Sequence, residues 1–344
     1  MRGALTGWLL LSLLSAMPAL GAERRCTSAA IALLQEHVPE GHRIVASTDD
    51  EAFFARWLDC SSPPLFDVDV ALHESVHLAG GRIPDSPHTY TLVRLGGASL
   101  EVDATRILFP RSEIGTYLEP PERGGYYQTY LTGPSGQQDI LLVLDELNAY
   151  VHSLDALHRL TEAHPMEPGA RTSARDGVAV FMYYLQLMVR HADAAHPQDA
   201  QRIREPDLAT AIATVWRDAE QVLSRTCALP HLGIDDGWYL LRVYEPGNAA
   251  VMTSVLPGLA PGLPPTCGSV LAEARPPVPG SFQDTTTATL KQQVALPSEV
   301  RVTVNGEVLT LDELEALASK DPLYRQVLQD VRAQLSSTYP PGQP

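Results

Sequence analysis

Two histidines and one glutamate in the chain have the spacing His-Glu-x-x-His, which could form a hydrolytic metal site. They are His73, Glu74 and His77. Residues four apart in a helix lie on the same face, so both imidazoles could bind one cation. Glu74 is offset by one position and would reach past the metal towards a bound water. Two nitrogen ligands with a nearby carboxylate are typical of zinc hydrolases.

The residues around this motif favour a buried helix that ends directly after it. No charged residue occupies the two variable positions or the two positions after His77, and Gly80 and Gly81 then predict the end of the helix. The alternative interpretation is a surface helix that carries two incidental histidines.

A zinc ion held by two histidines needs a third protein ligand. A long helix is predicted from residue 138 to about residue 161, and it carries Glu146 among apolar neighbours. An ionised carboxylate in such surroundings is costly unless it is paired or bound to a metal. We therefore predict Glu146 as the third ligand. The rival candidates are His152, on the same predicted helix, and Asp103.

These two segments resemble the gluzincins, zinc metallopeptidases with His-Glu-x-x-His on one helix and a glutamate ligand on a second helix. The resemblance is confined to residues 70–79 and 144–150. It implies that His73, His77 and Glu146 bind one Zn²⁺ per chain and leave one position for water. It also implies that Glu74 is the general base towards this water and then donates the proton to the leaving amine, while the metal polarises the scissile carbonyl.

At two positions the chain departs from the motif patterns of related zinc peptidases. The third-ligand position of the metzincin pattern holds Ile83 instead of histidine, which excludes that group. The thermolysin-like pattern has an aspartate four residues after the ligand glutamate, whereas this chain has Tyr150 there. A different residue must then orient a ligand histidine, and Asp145 and Asn148 are candidates.

The resemblance also implies a hydrogen-bond donor to the transition state. We predict Tyr150 for this catalytic role, and the other candidates are Tyr126, Tyr127, His152 and His231.

The first 22 residues predict a secretory signal. Arg2 supplies a positive charge, residues 8–14 form an apolar stretch too short to span a bilayer, and Gly21 and Ala22 are suited to cleavage. We expect an exported protein, periplasmic or secreted, and an uncleaved anchor is the alternative. No later stretch is long and apolar enough to cross a membrane, so we expect no membrane insertion after cleavage.

The net charge of −16 is spread along the chain. It argues against binding to nucleic acid or to an anionic membrane surface. The partner implied by the gluzincin resemblance is a peptide or protein substrate.

Four cysteines in an exported chain indicate disulfides, and three pairings are possible. We favour the pairing of sequence neighbours, which joins Cys26 to Cys60 and Cys227 to Cys267. None has Cys-x-x-Cys spacing, so we assign none to the metal.

The patterns predict a mostly helical α+β fold, a zincin-like metallopeptidase domain with a small antiparallel β portion. Short β segments are expected at 43–46, 88–103 and 124–131. After the signal (1–22), the predicted divisions are the metallopeptidase domain (23–245), a Pro-rich linker or wrap (246–298), a small appendix of a β-hairpin plus helices (299–338) and a disordered tail (339–344).

Three function classes follow from the sequence. The first is an exported zinc metallopeptidase that hydrolyses peptide bonds. The second is a catalytically inactive zincin-like protein that binds a peptide or an envelope partner. The third is a structural envelope protein in which the histidine pair is incidental.

Overall fold

The computed structural model describes residues 17–48, 50–58, 67–83, 86–166, 168–255, 261–277, 301–304 and 307–310. The chain divides into two compact units. The first comprises Met1–Leu108 and Ile140–Pro276, and the second comprises Phe109–Asp139 and Pro277–Pro344.

The described elements are mostly helices, with two small antiparallel sheets, as the predicted α+β class requires. In chain order they are α1 (Met17–His37), α2 (Pro39–Ser47), α3 (Glu51–Arg56), α4 (Val68–Ala79), β1 (Gly81–Ile83), β2 (Ser86–Val93), β3 (Ser99–Asp103), α5 (Gly125–Tyr130), α6 (Ile140–Ala163), α7 (Ala174–Ala195), α8 (Pro197–Ile203), α9 (Pro206–Thr226), α10 (Asp236–Tyr244), α11 (Pro246–Val255), α12 (Gly268–Ala272), β4 (Arg301–Val304) and β5 (Glu307–Thr310). Short 3₁₀ helices lie at Arg111–Tyr117, Pro120–Glu122, Ser135–Gln137, Pro230–Leu232 and Pro265–Cys267.

Helix α6 is the central helix of the first unit. It has 24 residues, and most of them are buried around the whole circumference of the helix. Such a helix must be covered on all sides, and α6 packs against α1, α4, α7 and α9. Helix α4 presents the buried side chains of Val68, Leu72 and Val76 at helical spacing. This packing sets the predicted metal-binding helix directly beside the predicted third ligand.

Two glycines let the chain turn directly from α4 into the three-stranded sheet. Gly81 has φ +84°, a left-handed conformation that favours glycine. A Cβ on Gly80 would lie 2.8 Å from the Thr91 carbonyl oxygen, so this position also needs a residue without a side chain. The predicted end of the helix at these glycines is confirmed.

The sheet has the order β1-β2-β3, and all its strands are antiparallel. The predicted 88–103 hairpin is confirmed, with Thr91 opposite Glu101. Two side chains of α6 anchor the end of β2, because Asn148 Nδ2 and His152 Nε2 both donate to the Val93 carbonyl at 2.8 Å. The sheet that follows α4 is thereby tied to the helix that faces α4.

Two predicted β segments are wrong. Residues 43–46 belong to α2, where the buried side chains of Ile44 and Val45 pack in the core despite their β propensity. Residues 124–131 contain α5 instead of a strand. Tyr126 and Tyr130 are four residues apart, which places them on one helical face, and their rings stack with centroids 6.2 Å apart.

The segment predicted as a Pro-rich linker, residues 246–298, begins with regular structure. Pro246 is the first residue of α11, and Pro265 is the first residue of a 3₁₀ helix that precedes α12. Proline is well suited to the first turn because its missing N–H has no helical partner there. These prolines therefore begin helical segments within the stretch predicted as a linker or wrap.

Several predictions lie wholly or partly outside the described residues. They concern residues 1–16 of the signal, residues 278–298, the helices of the 299–338 appendix and the 339–344 tail. The hairpin at the start of the appendix is confirmed by β4 and β5, which pair in an antiparallel register. Within the part of the chain that the structure describes, every helix is too short or too polar to cross a membrane.

The Cys227–Cys267 disulfide is confirmed, and it joins the end of α9 to the segment before α12. Cys60 lies outside the described residues, so its pairing with Cys26 stays a prediction.

We expect replacement of both Cys227 and Cys267 by serine to lower the free energy of unfolding by about 3–4 kcal/mol. The two residues are 40 apart in sequence, and the cross-link removes the corresponding loop entropy from the unfolded chain. Urea unfolding of the oxidised wild type and the double variant measures the difference. A difference below about 1 kcal/mol would show that the cross-link adds little stability.

Candidate metal centre

Three side-chain atoms converge between α4 and α6. His73 Nε2 and His77 Nε2 lie 3.0 Å apart, and Glu146 Oε2 lies 3.4 Å from the first and 3.5 Å from the second. The histidines come from one face of α4, and the glutamate comes from the facing turn of α6. The three residues predicted as ligands are therefore brought together, and they form a group able to hold a metal ion.

The size of this group fits a zinc ion. Three atoms with these separations lie on a circle of about 1.9 Å radius. A point about 2.0–2.1 Å from all three, the usual zinc–ligand distance, therefore lies within about 1 Å of their plane. Glu146 Oε2 is also buried without a hydrogen-bond partner. A buried carboxylate oxygen is costly when unpartnered, and a bound cation would satisfy it.

Asp145 orients one of the two imidazoles. Its Oδ2 lies 2.5 Å from His77 Nδ1, and the aspartate is almost completely buried. The contact places a proton on Nδ1 and directs Nε2 towards His73 and Glu146, so that Nε2 is the nitrogen available to a metal. Of the candidates for this role, the structure selects Asp145, whereas Asn148 binds the sheet.

The electrostatics of the group favour positive charge at its centre. Burial acts to lower the pKa of His77, but Asp145 and Glu146 outweigh it and hold this pKa well above its usual value. Burial acts in the opposite direction on Glu146, where His77 and His73 outweigh it and hold the pKa well below its usual value. Both shifts mean that the site stabilises a cation beside the two carboxylates.

Glu74 lies on α4 between the two histidines. Burial raises the pKa of its carboxyl above the usual value, and the charges of His73 and His77 act against this rise. A carboxylate with a raised pKa is a stronger base than one in water. Its environment therefore suits the proton-accepting role predicted for it.

Tyr150 packs against His73. The two ring centroids are 4.5 Å apart in an edge-on arrangement, and the tyrosine ring also stacks on Phe181 of α7 at 5.5 Å. Helix α7 makes room for the ring at Gly177, where a Cβ would lie 2.1 Å from Tyr150 Cδ1. Tyr150 thus lies beside the site in a position that supports the His73 ring, and its catalytic role stays a prediction.

The rival third ligands are engaged elsewhere. His152 Nε2 donates to the Val93 carbonyl, and burial lowers the pKa of this histidine. Asp103 lies at the end of β3, where its Oδ1 accepts from the Thr105 N–H. The geometry therefore favours Glu146 over both.

The other candidates for the transition-state hydrogen-bond donor interact with residues outside the metal-binding group. Tyr126 and Tyr127 belong to the second unit, where Tyr126 stacks on Tyr130. His231 lies near Arg175, and burial together with that positive charge lowers its pKa.

The three side chains of the group are partly exposed, and His77 is the most exposed of them. The His73 side chain is 8% exposed and that of Glu146 15%, whereas that of His77 is 24% exposed.

Comparison of the chain with protein-family models, with curated proteins and with solved structures gave no match. The interpretation of this centre therefore depends on its own geometry.

We expect Gly177→Ala to lower the free energy of unfolding by about 1–3 kcal/mol, because the new methyl group overlaps the Tyr150 ring. The matched control is Gly247→Ala in α11, where an added Cβ has no neighbour within 4 Å. The control should be neutral or gain up to about 1 kcal/mol from helix propensity. Urea unfolding measures both, and equal effects would contradict the close packing of Tyr150 on α7.

Proposed function

We propose that this chain is an exported zinc-dependent metallopeptidase of the gluzincin type with a zincin-like fold in its first unit. One observation carries the proposal. His73 Nε2, His77 Nε2 and Glu146 Oε2 lie within 3.5 Å of one another, and Glu74 is on the same helix as the histidines. Two nitrogens, one carboxylate oxygen and a neighbouring general base form a donor set typical of catalytic zinc sites.

Zinc is the ion that this donor set fits best. Imidazole suits zinc, copper and nickel, while calcium and magnesium prefer sites made entirely of oxygen. Three protein ligands in place of four are typical of catalytic zinc, since they leave one position for water or substrate. When bound, the ion would supply a Lewis acid and lower the pKa of water.

The residues of the chain have separate tasks in the proposed reaction. His73, His77 and Glu146 hold the ion, and Asp145 keeps His77 in the tautomer that can bind it. Glu74 accepts a proton from the attacking water and transfers it to the nitrogen of the leaving amine. Burial of Glu74 raises the pKa of its carboxyl and so assists the first of these transfers.

The substrate class and the location are part of the proposal. A peptide or protein substrate follows from the gluzincin resemblance. Export is supported by the Cys227–Cys267 disulfide, because such cross-links persist in oxidising compartments.

The second candidate function is a zincin-like protein that holds the metal and binds a peptide without cleaving it. The environment of Tyr150 favours this alternative. The tyrosine is 8% exposed, and its ring packs between His73 and α7. That position supports a packing role for Tyr150 and leaves the transition-state donor unassigned.

We expect the purified protein to contain one zinc ion per chain and Glu146→Ala to lose it, because the variant lacks the only carboxylate in the described metal-binding group around His73. The matched control is Glu162→Ala on the same helix, where the side chain is 67% exposed. Elemental analysis after purification without chelators measures the zinc. Less than about half an equivalent in the wild type would contradict the metal site.

We expect Glu74→Gln to lower peptide cleavage by about 100-fold or more while the zinc content stays at one per chain. General acid–base catalysis contributes about 10²–10⁴-fold, and glutamine cannot accept the proton. The control is Glu101→Gln on β3, an exposed position. Cleavage of a mixed fluorogenic peptide library measures the rate.

Two outcomes of this comparison would count against the peptidase. Equal cleavage by wild type and Glu74→Gln would mean that the activity arises elsewhere. No cleavage by zinc-loaded wild type would favour the binding protein, and peptides retained by the immobilised, zinc-loaded chain would then identify its ligand.

A further inference from the structure

A second pair of histidines meets at the ends of two helices, away from α4. His37 is the last residue of α1, and His164 follows the last residue of α6. Their Nε2 atoms lie 3.2 Å apart, and the ring centroids are 5.0 Å apart with the rings nearly perpendicular. The two residues are 127 positions apart in sequence, so that only the fold brings them together.

This arrangement resembles that of His73 and His77 in its dimensions. There the Nε2 atoms are 3.0 Å apart, and the ring planes make an angle of 77°, against 79° for His37 and His164. In both pairs two imidazole nitrogens lie at the separation expected for neighbouring ligands of one transition-metal ion.

The backbone around the second pair is held by the core. Leu34 lies one turn before His37 and Leu160 one turn before His164, and both leucines are fully buried in one hydrophobic cluster. The last turns continue without interruption, because the Val38 N–H donates to Leu34 and the His164 N–H donates to Leu160. The histidines therefore extend from two packed helix ends whose positions are fixed before any ligand binds.

The last turn of α6 ends beside the pair, and the carbonyl groups at a helix C-terminus carry partial negative charge. The end of α1 adds little, because α2 begins at Pro39 and brings the opposite partial charge of a helix N-terminus. Glu36 adds a carboxylate, with Oε1 3.8 Å from His37 Nε2. The Glu36 side chain is 75% exposed and could move towards an ion without disturbing the core.

We propose that His37 and His164, assisted by Glu36, form a second binding site for a divalent transition-metal ion. Imidazole pairs suit Zn²⁺, Cu²⁺ and Ni²⁺, and Cu²⁺ should bind more tightly than Zn²⁺ here. The bound ion would cross-link the end of α1 to the end of α6. Because the ion binds the folded chain, it would also raise the stability of the protein by an amount that grows as RT ln(1 + c/Kd), where c is the free metal concentration. The proposal does not depend on peptidase activity.

The experiment is equilibrium dialysis of the full chain against Zn²⁺, with bound metal measured by elemental analysis. We expect two equivalents in the wild type. His37→Gln and His164→Gln should each lower the affinity for the second zinc ion by about 100-fold or more and leave binding of the first zinc ion unchanged. Loss of even an outer-shell partner of a metal ligand lowers metal affinity by about 10–100-fold. The control His88→Gln, an exposed histidine on β2, should keep both.

Two further measurements assign the sites independently. Glu146→Ala should lose the first equivalent and keep the second, which separates this proposal from that of the catalytic zinc. Added Zn²⁺ or Cu²⁺ should raise the melting temperature of Glu146→Ala but not that of the variant that also carries His164→Gln, and Cu²⁺ should act at lower concentration.

The proposal is wrong if Glu146→Ala binds no zinc at all, because the His37 and His164 rings then share only an N–H···N hydrogen bond. It is also wrong if His37→Gln and His164→Gln bind the second equivalent as tightly as the His88→Gln control does.

Discussion

The structure of the first unit depends on two acidic side chains buried next to each other on α6. Asp145 and Glu146 face α4 at one turn of the central helix, where desolvation penalises each negative charge. Asp145 Oδ2 contacts His77, and Glu146 lies beside both imidazoles, while Asp145 Oδ1 and Glu146 Oε2 are buried without a hydrogen-bond partner. The position of α4 against α6 therefore has an electrostatic as well as a hydrophobic cause, and the metal that we propose would complete the compensation.

The chain that follows α4 returns to the same helix. It turns at Gly81 into β1, passes through the sheet, and ends β2 at Val93, whose carbonyl accepts hydrogen bonds from Asn148 and His152. These donors lie one and two turns beyond Asp145. Helix α4 and the end of β2 are thus both fixed to one segment of α6. This restricts the movement of the ligand residues relative to one another.

Features that depend on local residue spacing or on the cost of a buried charge could be predicted from the sequence. The His-Glu-x-x-His helix and Glu146 are of this kind. The sequence was insufficient where tertiary contacts override propensity, as for Val45 in α2 and Tyr126 in α5. It also gave no sign of the closeness of His37 to His164, since no local pattern encodes a contact between such distant positions.

The two halves of the metal group are separated in sequence by 68 residues, and 31 of these, residues 109–139, belong to the second unit. Nearly half of the chain between His77 and Glu146 therefore lies outside the unit that holds the ligands. Distant relatives of this chain should keep the short segments 73–81 and 145–152 while the number of residues between them varies.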